Sequence, residues 1–493
     1  MSIRFAPRPA LVPSALFAMF AVTACGDDSS STSRYGDMTL GVTSVDSDSN
    51  SASETDSDSD SDSDSASTGP KLDVGTGGSG GGGGCADGGG GGAGGGEIEF
   101  SNIWIANSPD GTISKIDTVS ATEIGRFQVT PMPQNNVLVG PSRTSVSLYG
   151  DVAVADRSGG LAKIHARQED CVDANNNGQI ETSTNNNPLP YGQDECLAWR
   201  IEIPRMQGAF EDRRGPRAVQ WTLPDGIETC DFLGAKVWVA FCNENNNDGT
   251  VWLVDGDTGD IDVEIPIPGM QCEMMGPYGG GVDIHSNFWF VENDTRKALY
   301  VARYNCDPGG GEECWEVYDR PDPDMDPYGI TVDTFGRVWM AGQNNSLYYY
   351  DSVDEVWANF KPELDAFFAN TGHPTNILRG LMMDSNGILW IATVQDFGGG
   401  QFPGLLKVDT NQTPFNYQFF SKETLGGQLQ HAAGTSIDAE GFVWLVDTFS
   451  NGAYKIDPQN PSSYTRVDGL NQPYTYSDMT GFALNQVGFP PEG

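Results

Sequence analysis

Between Asp326 and Phe360 the apolar residues come in four short runs, GITVD, RVWMAG, SLYYYD and EVWANF, separated by Thr-Phe-Gly, Gln-Asn-Asn and Ser-Val-Asp. The runs are rich in β-branched and aromatic residues and the separators are turn formers, so four antiparallel strands are expected here. The inner pair of runs returns three times: as GPYGGGVDIHSNFWFVE up to Glu292, LRGLMMDSNGILWIAT up to Thr393, and AAGTSIDAEGFVWLVD up to Asp447. Trp289, Trp339, Trp390 and Trp444 therefore recur at intervals of about 50 residues, the length of one four-stranded blade with its loops. Weaker copies carry Trp238 and Trp104, and between these two Ala153 of DVAVAD takes the tryptophan's place, which makes seven units.

The first unit begins at SNIWIAN, without room for a full inner strand, while a spare inner-strand copy, DMTGFALN, runs from Asp478 to Asn485. That C-terminal strand is expected to complete the first blade and remove both open sheet edges. The expected fold is all-β, a seven-bladed β-propeller over residues 97–493. A β-sandwich or two smaller barrels would not predict a repeat of this length.

The pattern Gly-x-x-x-Asp-x-x-Gly-x-hydrophobic-Trp, as in Gly329 to Trp339 and Gly380 to Trp390, resembles the streptogramin (virginiamycin B) lyase-like propellers and the neighbouring NHL-type repeats. The resemblance covers about residues 97 to 486 and speaks to fold, since propellers host many unrelated activities. It implies a carbon–oxygen lyase that opens a cyclic depsipeptide with a histidine and an Mg²⁺-holding glutamate. Glu292 matches the glutamate, but Tyr278 stands where the histidine is expected.

Ahead of the repeats, Met1 to Ala24 carries Arg4 and Arg8 and an apolar run from Leu11 to Val22, the pattern of a secretory signal. Val22-Thr23-Ala24-Cys25 resembles a bacterial lipobox, which would make Cys25 the lipidated first residue of an envelope protein held by acyl chains. Whether it faces the periplasm or the cell surface is left open. Residues 25–96 are rich in Ser-Asp and Gly and read as a disordered tether with a reach of roughly 45 Å.

The net charge of −41 exceeds what the tether's acids supply. It speaks against nucleic acid and for cations or basic peptides as partners; the partner expected at the mouth is a small molecule or an envelope protein. The ring is expected to be monomeric. With Cys25 lipidated, eight of the nine cysteines remain. Proximity pairs Cys171 with Cys196, Cys230 with Cys242 and Cys306 with Cys314, leaving Cys85 and Cys272 to pair or stay apart.

An insertion at about residues 168–200 contains Asp173, Asn175, Asn177, Gly178 and Gln179 in the spacing of a Ca²⁺ loop. Thr184 stands where an EF-hand needs glutamate, so Asp194 or Glu195 is expected to supply that carboxylate through the Cys171–Cys196 fold-back.

At one mouth of the ring, strand starts and strand ends should converge. One register holds Arg143, Arg217, Tyr278, Tyr328 and Arg379, with His431 close to the matching place; the other holds Asn107, Asp156, Glu292, Thr393 and Asp447. These are the candidate ligand-binding residues of a module without turnover. An alternative is that the arginines and acids neutralise one another in a purely structural protein. The remaining alternative is a lyase or hydrolase using Glu292, Mg²⁺ and His431, the other histidines (His165, His285 and His373) lying in turns, strand ends or loops.

Overall fold

The computed structural model describes residues 101–133, 140–204, 215–227, 233–243, 248–270, 272, 275–372, 376–395 and 402–489. The signal segment, Cys25, the tether, Cys85, Cys230 and His373 lie outside them. The described residues form seven antiparallel sheets, six of four strands and one of three. This is a seven-bladed β-propeller.

The inner strands Pro141–Val146, Ala218–Trp221, Pro277–Val282, Pro327–Val332, Asn376–Met383 and Ala432–Ile437 head blades 2 to 7 and pack each against the next. Every residue in them is buried. Outer strands such as Val356–Asn359 face solvent. Crowding at the axis explains the glycines of the inner strands: a Cβ on Gly329 would meet the Arg379 carbonyl oxygen at 2.1 Å.

The repeat motif has a direct physical reading. In blades 4 to 7 the aspartate after the inner strand accepts the indole N–H of the tryptophan on the next strand. The pairs are Asp283–Trp289 at 2.9 Å, Asp333–Trp339 at 2.8 Å, Asp384–Trp390 at 3.0 Å and Asp438–Trp444 at 2.8 Å. The second carboxylate oxygen takes the turn's own amides, as Asp333 does from Phe335 at 2.9 Å and Arg337 at 3.0 Å. Gly336, at φ 78°, lets the turn close.

The ring closes through the tail, at a different place from the one the sequence predicted. Pro473 bridges Asn107, the Tyr474 amide donates to the Ala106 carbonyl at 3.1 Å, and the Trp104 amide donates to the Met479 carbonyl at 2.9 Å. Residues 473–479 thus take the inner place of blade 1, whose own strands are Asn102–Asn107, Thr112–Asp117 and Thr122–Gln128. The expected strand from Asp478 to Asn485 is instead a turn and a short helix, Phe482–Gly488. Asp478 accepts the amides of Gly481 at 2.9 Å and Leu484 at 3.3 Å, which bends the chain out of extension. The helix sets Phe482 against the cores of blades 6 and 7, and Leu484 and Val487 against blades 3 and 4.

Disulfides Cys171–Cys196 and Cys306–Cys314 form as expected. Cys242 pairs with Cys272 and not with Cys230, at a Cα separation of 5.9 Å. The ladder explains this: Cys242 lies opposite Gly249, which lies opposite Ile267, so the chain leaves blade 3 beside Cys242 just before Cys272. No described helix is long and apolar enough to cross a membrane.

Asp333→Ala leaves the Trp339 indole and two turn amides without acceptors, and should cost about 3 kcal/mol or more; Trp339→Phe, which keeps most of the packing, should cost about 1–2 kcal/mol. Urea denaturation of the two variants beside the wild type checks the order.

Candidate functional site

Five inner hairpins carry a β-bulge at one shared place, the start of the inner strand: Pro141/Arg143, Pro277/Gly280, Pro327/Gly329, Leu378/Leu381 and Ala432/Gly434. A bulge takes its extra residue out of the ladder and re-aims its side chain. Tyr278, Tyr328 and Arg379 are such residues, and the structure brings them together with Arg143 and Arg217. The Tyr278 and Tyr328 rings meet at 4.7 Å, with Arg143 4.9 Å and Arg217 5.3 Å from the Tyr278 ring and Arg379 5.1 Å from the Tyr328 ring.

Three members were not singled out from the sequence. Tyr476 of the tail stacks on Tyr328 at 5.1 Å and covers the Arg143 guanidinium at 2.9 Å. Tyr474 shares a short hydrogen bond with the Tyr328 hydroxyl, and Arg157 stands 5.2 Å from its ring. A signal for the tail was present: Pro473-Tyr474 repeats Pro277-Tyr278 and Pro327-Tyr328, and all three prolines sit at the equivalent bridge. The five expected rim residues are all buried, and Tyr474 is the partly exposed group of the cluster.

The second register does not neutralise the first. Asp447 accepts the amides of Gln430 and His431, each at 2.8 Å. Asp156 accepts from Ser158 and Thr130, each at 2.9 Å, and faces Arg200 at 3.5 Å. Glu292 accepts the Lys297 amide at 2.6 Å. Asn107 accepts the Asn471 amide at 2.9 Å, whereas the Thr393 hydroxyl is buried without a partner. The three acids fasten backbone connections; none is seen paired with Arg143, Arg217 or Arg379, which stand against tyrosine rings, so the alternative of mutual neutralisation is not formed among the described residues.

Burial sets the charges here. It draws Arg143 down to about 9, with Arg217 adding repulsion, while the tyrosine hydroxyls oppose the fall. Tyr278 is pushed up to about 12, mainly by burial. Burial would also raise Tyr474, but Arg379 and the Tyr328 hydrogen bond bring it down to about 8. His431 packs on Phe449 and falls to about 3 through burial and the nearby Arg379.

The lyase arrangement is not assembled from these residues. Glu292 stands on blade 4 and His431 at the edge of blade 7, and no hydrogen bond joins them. Beside Glu292, Asp294 commits both oxygens to the amides of Met275 and Gly276. Glu292 Oε1 is buried without a partner, and a single carboxylate oxygen is a poor fit for Mg²⁺.

In the blade 2 insertion the disulfide folds Glu195 back onto the loop, where Oε1 accepts the amides of Ala174 at 3.0 Å and Asn175 at 3.3 Å. Asp173 accepts from Asn177 and Gly178, and Gly178 has φ 84°. Glu181, missed in the sequence although it fills the ninth loop position, accepts from the side-chain Nδ2 groups of Asn175 and Asn177 at 2.6 and 2.9 Å. Asp194 instead holds Thr182, Ser183 and Cys196, and Gln179 contributes its backbone amide to Asn177. Elsewhere Cys306, Glu312 and Cys314 cluster, but the two cysteines are joined as a disulfide and offer no thiolate.

Burial, with Asp294 adding, raises Glu292 to about 7 from its ordinary 4.5. Folding therefore favours the protonated acid; its contribution is full below pH 4.5 and is lost as pH rises through about 7. Relative to Glu292→Gln, the wild type should lose up to about 3 kcal/mol between about pH 4 and pH 8, read from denaturation curves across that range.

No family model matches the chain. No curated protein matches it either. Among solved structures, a streptogramin B lyase is 16% identical, over 56% of this chain and 74% of its own, at a TM-score of 0.38. Virginiamycin B lyase from Staphylococcus aureus with quinupristin is 14% identical, over 69% and 87%, at a TM-score of 0.42. Kuenenia stuttgartiensis hydrazine synthase is 12% identical, over 69% and 90%, at a TM-score of 0.46. The chain is a seven-bladed β-propeller whose structural neighbours include the streptogramin B lyases.

Proposed function

We propose that the protein is a binding module of the bacterial cell envelope, lipid-anchored at Cys25 and carried on its tether, that takes a small molecule or an envelope protein at the central mouth without turnover. The observation that carries this reading is the convergence of Arg143, Arg217, Arg379, Tyr278 and Tyr328 around a half-buried tyrosine, Tyr474. Buried cations beside aromatic ring faces are ligand-recognition chemistry. The anchor and address rest on the residues around Cys25 alone.

Photo-crosslinking of the intact protein on cells tests it. The captured species should fall at least about tenfold with Tyr474→Ala and with Arg379→Met, at a stability cost of about 1–2 kcal/mol for the first. Phe335→Ala, on the hairpin-turn side and 71% exposed, should leave capture unchanged. Equal capture by all variants would defeat the reading.

The insertion loop is assigned a structural Ca²⁺, held by oxygens of Asp173, Asn175, Asn177, Glu181 and Glu195, an all-oxygen set suited to that hard cation. Its work there would be to stiffen a long loop. Metal analysis after extensive dialysis should find about one Ca²⁺ per chain in the wild type and none in Glu195→Gln; a calcium-free wild type would remove the assignment.

A further inference from the structure

Among the described residues, four buried arginines gather at the central mouth, and no salt bridge joins Arg143, Arg217 or Arg379 to a carboxylate. Arg143, Arg157, Arg217 and Arg379 are 0%, 1%, 3% and 3% exposed. Arg143 has no hydrogen-bond partner at any of its three guanidinium nitrogens, and the Nε atoms of Arg217 and Arg379 have none either. Arg217 repels both Arg143 and Arg157. Among the described residues, the carboxylates acting on these arginines include Asp156 and Asp294, which are committed to Thr130, Ser158 and Arg200 and to the amides of Met275 and Gly276. A buried guanidinium without a partner is an unstable arrangement, and its planar fork is shaped for a carboxylate or phosphate.

We propose that this mouth is an oxyanion site, in which a carboxylate or phosphate group of the ligand is held by Arg143, Arg217 and Arg379 and the Tyr474 side chain is the movable cover. The assignment rests on the reading of the mouth as a binding site and names the chemistry it selects. Tyr474 suits the role of cover because its backbone is what closes the ring. Its amide is bound to Ala106, and the Thr475 hydroxyl accepts the Ala106 amide at 2.8 Å, so the phenol can swing while the closure stays made.

Tyr474 also supplies a rival for the ligand. It is faced by Arg379 from blade 6, Tyr328 from blade 5, Tyr278 from blade 4, Arg217 from blade 3, Arg143 and Arg157 from blade 2, and Tyr476 from its own segment. The same arginines that would hold an oxyanion bring its phenol down to about 8. Below that pH the phenol is neutral and the cations are unmatched. Above it the phenolate becomes the internal anion and excludes the external one.

Calorimetric titration of the purified full chain with acetate or with inorganic phosphate, against chloride at equal ionic strength, tests the site. At pH 6.5 one or both should bind saturably, and the arm that binds more tightly separates a carboxylate from a phosphate ligand. Arg143→Met should weaken binding at least about tenfold while thermal unfolding stays cooperative. Between about pH 8 and pH 9 acetate affinity should fall about tenfold in the wild type and stay level in Tyr474→Phe. In ultraviolet titration at about 295 nm, bound acetate should move one tyrosine transition to higher pH. Binding no better than chloride in both arms, or affinity untouched by Arg143→Met, overturns the proposal. If crosslinked capture still depends on Arg379 in that event, the mouth binds something other than an oxyanion; if capture is also lost as a mouth property, the binding reading falls with it.

Discussion

Four buried carboxylates, each bonded to an indole nitrogen six residues further on, set the geometry of half the ring. Asp283, Asp333, Asp384 and Asp438 each gather an indole N–H and the amides of their own tight turn. In a core this apolar those donors have no other acceptor, and leaving them unmade would cost more than the bonds themselves contribute. The bond therefore fixes where the inner strand ends and where its neighbour begins. Blades without the pair use substitutes: the Trp238 indole donates to the Ser286 carbonyl of the next blade, and that of Trp104 to Gly150.

With the inner hairpins held in one register, the recurrent bulge places Tyr278, Tyr328 and Arg379 at one height around the axis, and the tail adds Tyr474 and Tyr476 where blade 1 lacks a strand of its own. The acids across the ladder tie down the connections between blades. Because those acids are used structurally, the arginines are left to aromatic faces, which stabilise a cation far less completely than a carboxylate does. The mouth is thus rigid in its backbone and unbalanced in its charge.

Much of the ring was legible in the sequence because strands of period 2, turn formers and a repeat of about 50 residues are local signals. The places it misled were decided by contacts far apart along the chain. DMTGFALN has the composition of an inner strand, yet Asp478 capping Gly481 and Leu484 makes it helical, and the true register marker was Pro473-Tyr474. Cys242 lies closer in sequence to Cys230 than to Cys272, but the ladder of blade 3 decides its partner. The helix Lys361–Ala369 between blades 5 and 6, packed through Leu364 and Phe368, carried no repeat to announce it. That Arg143 would lack a partner follows from where Asp156 spends its oxygens, which no spacing rule contains.

The residues that fasten blade 1 are synthesised after all seven sheets. Without Pro473 to Met479, the amides of Trp104 and Ala106 lack their acceptors and the apolar surface that receives Phe482, Leu484 and Val487 stands open. A chain cut short before this segment has two unjoined sheet ends, and such ends are open to proteases and to pairing with other chains. The tail thereby makes the segment from Pro473 to Met479 a condition of the locked state.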